Sequence, residues 1–330
     1  MNPLKKSISV ILPNFNGEEL LMEFIPSIIE ALNFSNIEYE FIVVDDKSTD
    51  QSVEFLKSQY PFIILIENKI NKGFSYTCNR GIKIAQKDLV FLVNSDVKLS
   101  KDYFKNQLKY FDNNETFGVM GQIKNYQSLK TEDNARFPRF KGVKLKATKF
   151  YYSTNPSDKI FTTYLSGANS LICNQKLKLL NGFDEIYSPF YFEDFDLGLR
   201  AWKMGWKLYY EHTSICFHKV SATTNKINKS NYVKIIYYRN NYILHAIHLN
   251  GLRKNLWYSQ LFTTTLFWHI IKGEFWIFYS LFEFLKHKNK INNSKSKIIK
   301  MQHELNITIG IDNILTIFKK SLKNKSIKWI

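Results

Sequence analysis

Apolar residues fall in short continuous runs through the first third of the chain, and several runs end in a polar cluster. Ser9-Val-Ile-Leu12 stops at Pro13, Tyr39 to Val44 at Asp45-Asp46, and Asp88-Leu-Val-Phe-Leu-Val93 at Asn94-Ser-Asp96. Phe62 to Ile66 and Phe117 to Ile123 also read as strands. Between the first two runs the spacing becomes helical, with Leu20, Leu21, Phe24, Ile25, Ile28, Ile29 and Leu32 repeating at helical intervals. Ser48-Thr-Asp-Gln51 has the form of a capping box and opens a helix through about Gln59. Further helices are predicted from Ser75 to Ala85 and from Lys101 to Phe111. Continuously apolar strands alternating with helices predict an α/β fold with a mostly parallel central sheet flanked by helices. Ligands of such sheets bind beyond the carboxyl ends of the strands, which is where the Asn and Asp clusters sit.

The second half is less regular. Lys124 to Ser157 is polar, basic and weakly periodic, and reads as a long loop. Thr163 to Cys173 is strand-like, Tyr187 to Phe195 is an aromatic and acidic loop, and Asp196 to Met204 is helical. Trp206 to Tyr210 and Ser214 to His218 read as two short strands, and Asn231 to Asn250 as a helix. An aromatic-rich stretch follows, from Leu256 to Phe284. Its longest uncharged segment, Leu256 to Ile271, has 16 residues, short of the about 20 that a spanning helix needs.

Charge changes the picture at this end. Lys and Arg number 46 against 29 Asp and Glu, a formal +17, and eleven Lys lie between Lys286 and the C-terminus. Aromatic helices beside a Lys-rich tail predict an anionic membrane surface as partner. The alternative is a packing or dimerisation helix pair with a solvated tail. Nucleic acid is set aside, because the charge comes with no helix-turn-helix, zinc-finger or RNA-recognition signature. A hydrophobic share of 45% excludes a disordered chain. Three Cys without a CxxC pair argue against a disulfide framework or zinc site and for a reducing compartment. No signal-peptide apolar core precedes the first strand. Neither GxGxxG nor GxxxxGK[ST] occurs, which weakens dinucleotide-fold and P-loop readings.

Three clusters carry candidate chemistry. Asn94 and Asp96 follow a buried strand and share one side if the chain stays extended. A carboxylate there can hold a divalent cation that bridges diphosphate oxygens. Asp45 and Asp46 can accept hydrogen bonds from a pyrimidine N–H or ribose hydroxyls. Glu193, Asp194 and Asp196 lie among Tyr191, Phe192 and Phe195, where like charge and burial raise a carboxyl pKa. Each cluster alone is also explained by turn formation or helix capping.

Taken together in this order, the chain resembles the inverting glycosyltransferases of family 2, with the GT-A fold. The resemblance runs through Val10-Ile-Leu-Pro-Asn-Phe-Asn16, Val43-Val-Asp-Asp-Lys-Ser-Thr-Asp50, Asn71-Lys-Gly-Phe74, Asn79-Arg-Gly81 and Leu92-Val-Asn-Ser-Asp-Val97. It continues in Ser166-Gly-Ala168, Phe192-Glu-Asp-Phe-Asp-Leu-Gly-Leu-Arg200, His218 and Tyr237-Tyr-Arg-Asn240. The Asn-x-Asp form is similar to the rhamnosyltransferase-like branch. The resemblance implies a nucleotide pocket from Pro13, Asn16, Asp45 and Asp46, with Ser48 and Asp50 in its wall and Gly73 and Arg80 near base or ribose. Asn94 and Ser95 join the donor site. Asp96 and His218 would hold Mg²⁺ or Mn²⁺ with the diphosphate. Arg200 is placed either at the diphosphate or against an acid of the loop. Gly167 and Ala168 belong to the acceptor side, and Asp194 is the base, with Glu193 as runner-up. Phe74-Ser-Tyr-Thr-Cys78 is bulkier than the small residues expected there.

The implied organisation is a GT-A catalytic domain over 1–225 and a membrane-associating helical extension over 226–330. The catalytic domain divides into a nucleotide-sugar-binding half (1–123) and an acceptor-side half (124–225). The implied activity is transfer of a sugar from a UDP- or dTDP-sugar to a hydroxyl of a glycan or lipid-linked acceptor, with inversion. It belongs to cell-surface polysaccharide or lipopolysaccharide biosynthesis at the cytoplasmic face of the cell membrane. The alternative is a catalytically degenerate sugar-nucleotide-binding scaffold.

Overall fold

The computed structural model describes residues 6–219 and 231–330. The expected domain boundary at 225 lies outside the described residues. The central sheet is built from β1 (Ile8–Asn14), β2 (Tyr39–Asp45), β3 (Ile64–Glu67), β4 (Leu89–Val93), β6 (Thr116–Asn125), β10 (Ile160–Phe161), β11 (Asn169–Cys173) and β12 (Lys207–His218). Their order is β3-β2-β1-β4-β11-β6-β12-β10. β5 (Val97–Leu99) pairs with β12, and β7 (Thr131–Asp133) with β6. β1, β2, β3 and β4 pair in parallel, β6 with β12 likewise, and β11 is antiparallel to both its neighbours. The expected mostly parallel sheet is therefore present.

The continuous apolar runs are explained by burial on both faces. Along β2, Phe41 and Val43 enter one core while Ile42 and Val44 enter the other. Helix α1 (Glu18–Phe34) lays Leu21, Ile25, Ile28, Ala31 and Leu32 on the first face. α3 (Phe74–Ile84) and α5 (Glu193–Lys203) cover the second. α2 (Ser52–Gln59) and α4 (Asn174–Leu179) are short connectors.

Three expectations need correction. Lys124 to Ser157 is not a loop: it contains the end of β6 (Lys124 and Asn125), β7, and the hairpin of β8 (Ala135–Lys141) and β9 (Lys144–Ser153). The Lys101 to Phe111 helix is a series of turns ending in a 3₁₀ helix, Leu108–Asp112. Its backbone N–H groups reach back three residues, as Gln107 does to Phe104, and Tyr103 is tied by its hydroxyl to Asn169 O at 2.8 Å. The two strands expected over 206–218 are one strand, broken by a register shift between Glu211 and Ile215.

Beyond residue 230 the chain is helical: α6 (Asn231–His248), α7 (Gly251–Gln260), a π turn (Leu261–Thr265), α8 (Leu266–Ile271), α9 (Trp276–Lys286), α10 (Lys288–Glu304) and α11 (Ile311–Ser321). These helices share an apolar core with α5, and Phe318 of α11 packs on Trp202 with ring centroids 5.0 Å apart. The last strand, β13 (Ile327–Trp329), adds to β9.

Candidate active site

Register places the first site residues. β1 and β2 run side by side, so Asn14 lies opposite Asp45 at the carboxyl edge of the sheet. Asn14 Nδ2 donates to Asp45 Oδ2 at 2.9 Å, and the Ser48 amide donates to Asp45 Oδ1 at 2.8 Å. Asn16 takes a left-handed conformation (φ 50°) and accepts from Thr49 N at 2.7 Å. Asp50 accepts from Glu18 N at 3.0 Å and Ser52 N at 3.1 Å, bracing the starts of α1 and α2. Pro13 ends the apolar part of β1 beside them.

Asp46 faces a second loop. Its carboxylate accepts from Asn68 Nδ2 (2.7 Å), Lys72 N (3.1 Å) and Gly73 N (2.8 Å). Gly73 has φ +83°, and a Cβ there would lie 2.7 Å from Pro189 O, so glycine is required for the close approach. Arg80 reaches Glu67 O (3.0 Å) and Asn68 Oδ1 (2.6 Å). It acts on Asp46 through Asn68, a residue that carried no signal of its own in the sequence.

The Asn94-Ser-Asp96 turn joins this edge to the acceptor side. Gly17 packs so closely that a Cβ would lie 2.4 Å from Asn14 Oδ1 and 3.5 Å from Ser95 Oγ. Asn94 N donates to Ala168 O at 3.4 Å, and Gly167 N donates to Asp194 Oδ2 at 3.0 Å. The strand expected from Thr163 begins only at Asn169, because these groups serve the site. Phe74 fits against Gly167: a Cβ on that residue would meet the Phe74 ring at 2.6 Å. Buried Asn14 Oδ1, Asn94 Oδ1, Asp96 Oδ1, Asp194 Oδ1 and Glu193 Oε2 have no hydrogen-bond partner. Buried polar atoms are ordinarily paired, so this concentration marks a place built for a polar ligand.

Pairing of β5 with β12 sets His218 opposite Val97, next to Asp96. His218 Nε2 is 3.2 Å from Asp96 Oδ2, and Nδ1 is 2.9 Å from Glu132 Oε2. Burial lowers the His218 pKa, but Asp96 and Glu132 outweigh it and raise it to about 9. Two carboxylates that favour an imidazolium also favour a divalent cation. Among the described residues no group of three or more His, Cys, Asp or Glu is arranged around a metal. Asp96 offers the unpartnered Oδ1, and His218 becomes a second donor when a cation displaces its proton, which fits a cation completed by diphosphate oxygens. Glu132 lies in the segment read as a loop and had no signal in the sequence.

Glu193 and Asp194 open α5. Burial pushes the Asp194 carboxyl up to about 7, and burial together with the Asp194 charge raises Glu193 well above the usual carboxylate range. Both border a 310 Å³ cavity with Arg136, Lys146, Tyr164 and Tyr237. Arg200 is corrected: it does not face the strand ends but donates to Asp196 Oδ2 (2.6 Å), Leu180 O (2.9 Å) and Gly182 O (2.9 Å). Of the open alternatives, pairing with an acid of the loop is the one observed.

A family model described as Glycosyl transferase family 2 matches residues 9–179, more than half of the chain. A poly(ribitol-phosphate) beta-glucosyltransferase of Bacillus spizizenii is 27% identical over 168 residues, covering 50% of this chain and 26% of that protein. A Haemophilus influenzae glycosyltransferase is 27% identical over 268 residues, covering 77% of this chain and 94% of that one. The chain thus spans between a quarter and a third of the first two curated relatives' length, 26% and 30%. Among solved structures, GalNAc-T7 with UDP, GalNAc and Mn²⁺ superposes with a TM-score of 0.63 at 12% identity, over 98% of this chain and 57% of that one. Staphylococcus aureus TarS 1–349 with UDP-GlcNAc superposes at 0.57 and 16% identity, over 91% and 90%. These likenesses establish the fold as that of the GT-A glycosyltransferases. With that fold, and a family match that runs from the first strand past Asn94, Asp96 and Gly167, the chain belongs to glycosyl transferase family 2.

Proposed function

We propose that the protein moves a sugar from a UDP- or dTDP-sugar to a hydroxyl of a cell-envelope polymer, with inversion at the anomeric carbon. The observation that carries this is Asp194, buried at the cavity with Oδ1 unpartnered and its pKa near 7. A general base works best with a pKa near the operating pH. Asp194 Oδ1 takes the acceptor proton while the acceptor oxygen attacks C1 from the face opposite the diphosphate. The C1–O bond to the diphosphate breaks, and the bonding electrons leave with the nucleoside diphosphate. The Gly167 amide fixes the other carboxylate oxygen. Held by Asp96 and His218, a Mg²⁺ or Mn²⁺ ion would neutralise charge on the departing diphosphate. The names of the Bacillus and Staphylococcus relatives, which act on poly(ribitol-phosphate), support a polymer acceptor.

Thermal shift tests the donor side. Binding to the native state alone adds about 2.7 kcal/mol at a hundred times Kd. An unfolding entropy of about 2.1 cal/mol/K per residue makes this about 1.4 °C per kcal/mol for 330 residues, so UDP or dTDP with Mn²⁺ should raise Tm by roughly 4 °C. EDTA or Asp96→Ala should remove most of that rise. No shift with UDP, dTDP, GDP or CDP at millimolar concentration overturns the reading. A shift without turnover of any donor leaves the degenerate scaffold.

The site is further proposed to work at an anionic membrane surface. No helix among the described residues is long and apolar enough to cross a membrane. Yet α9 buries Ile277, Ser280 and Phe284 on one face while Phe278, Tyr279 and Phe282 stand out on the other. Phe267, Trp268 and Phe275 are also exposed, at 58%, 59% and 62%. Helices apolar all round need a cover, and Lys254 and Lys286 lie over the Tyr258 and Phe282 rings. Each buried aromatic contributes roughly 1.5 to 3 kcal/mol. Phe267→Ser with Trp268→Ser should therefore weaken binding to phosphatidylglycerol vesicles about a hundredfold or more, and salt should weaken the wild type. Absence of vesicle binding with a concentration-dependent dimer would assign the face to a second copy instead.

A further inference from the structure

We propose that Asn240 and Arg239 of α6 are positioning residues for the catalytic base, acting through the turn that precedes it. The proposal rests on Asp194 as that base. The turn from Tyr187 to Phe192 runs into the first helical turn of α5, and its last two residues, Tyr191 and Phe192, both have φ 75°. The left-handed region is rarely taken by bulky residues, and such a conformation persists only where the surroundings fix it. Phe192 is the N-cap of α5, and its side chain supplies no capping bond. Phe74 N donates to Pro189 O at 3.2 Å and Tyr187 OH reaches Asp196, but the carbonyls of Tyr187, Ser188, Phe190 and Tyr191 are held from α6. Asn240 is fully buried. Its Nδ2 lies 2.6 Å from Tyr187 O, 2.9 Å from Phe190 O and 2.9 Å from Tyr191 O. Its Oδ1 accepts from Arg239 Nε at 2.9 Å, and the Arg239 guanidinium also bonds Ser188 O. Four carbonyls of one turn are thus gathered by two adjacent side chains.

The choice of residue types follows. The carbonyls accept only, so their partner must offer donors and no competing charge. An amide with two N–H groups, held in orientation by a guanidinium, meets that need. Alanine would leave Tyr187 O, which is buried, and the part-buried Phe190 O and Tyr191 O without the two N–H groups they share, and aspartate would set a carboxylate against them. Asp194 is three residues beyond Tyr191, and on its other side it is fixed by Gly167 N. Loosening the turn therefore shifts the base; the turn also touches the Asp46 loop, where Phe74 N donates to Pro189 O, but the Asn14–Asp45 and Asp96–His218 pairs of the donor site are held by other partners. A displacement of about 1 Å at reacting groups costs on the order of a hundredfold in rate.

The test uses the full chain. Asn240→Ala should lower kcat about a hundredfold, leave donor KM within twofold, and preserve the UDP-induced thermal shift. In an Asp194→Asn background the same change should add little, because the group it positions is gone. Wild-type kcat in Asn240→Ala, a rise in donor KM as large as the fall in kcat, or full additivity with Asp194→Asn would each overturn the proposal. If Asn240→Ala does not fold, Arg239→Ala is read in its place. It removes the bond to Ser188 O and the brace on Asn240, and should lower kcat about tenfold with donor KM unchanged. Full transfer by Asp194→Asn alone would instead remove the base assignment, so the two failures are distinct.

Discussion

Asp194→Asn is expected to lower kcat by about a thousandfold, leave donor affinity unchanged, and raise Tm at pH 8. The rate effect follows from loss of the proton acceptor, which contributes roughly a hundred- to ten-thousandfold. The asparagine oxygen can still accept the Gly167 amide at the Oδ2 position, so the turn keeps its shape. The stability effect has the opposite sign, and the pKa decides it. An unfolded Asp ionises at about 3.9, and burial holds Asp194 near 7 in the fold. Between these values only the folded state carries the proton, so wild-type stability falls as pH rises from about 4 through 7. Asparagine bears no such cost. The Tm difference between the two proteins should be large at pH 8 and vanish near pH 4. The same carboxyl predicts that wild-type kcat falls below about pH 7, along a limb that the Glu193–Asp194 pair sets together. Transfer abolished in Glu193→Gln but retained in Asp194→Asn would move the base to Glu193.

Much of this site could be read from residue order, and the reason is local. β1, β2 and β4 are buried on both faces, so their apolar runs are unbroken, and the polar residues that end them fall at the sheet's ligand-binding edge. Asp45, Asn94 and Asp96 were visible for that reason, whereas Asn14, which bonds Asp45, was not singled out beside Pro13 and Asn16. The β8–β9 hairpin was hidden because Arg136, Arg139, Lys144 and Lys146 interrupt Phe137, Phe140, Leu145 and Ala147. Long basic side chains cover apolar surface with their stems while their charges stay in water, and a polarity count does not register this. The direction of Arg80 and Arg200 was equally out of reach, since both are long enough to serve either side of the helix they stand on. Glu132 and Asn240 reach their partners across 86 and some 50 residues. Nothing in their own neighbourhood announces the contact. Nor did the tail announce that Phe318 would lie under Trp202.

Asp196→Ala is expected to cost about 3 to 5 kcal/mol, the range for breaking a buried ion pair from one side. Asp196 is 1% exposed. It accepts from Arg200 Nε (2.6 Å), His248 Nε2 (2.9 Å) and Tyr187 OH (3.2 Å). Burial would raise its pKa, but Arg200 and His248 outweigh burial and hold it at about 2. His248 is itself pushed to about 4 by burial and by Lys203, so at neutral pH it donates as a neutral ring and Arg200 is the one cation of the pair. Removing the carboxylate leaves that guanidinium buried. At about 1.4 °C per kcal/mol for 330 residues, Tm at pH 7 should fall by roughly 4 to 7 °C. A folded pKa below the unfolded value stabilises above about pH 4 and is lost as pH falls towards 2, so the deficit should shrink in acid. Arg200→Met placed on Asp196→Ala should restore part of the loss by removing the stranded charge. The restoration stays partial because Leu180 O and Gly182 O then lose their donors. Arg200→Lys should lower Tm and leave the UDP-induced shift intact. A weakened UDP shift with unchanged Tm would return Arg200 to the diphosphate.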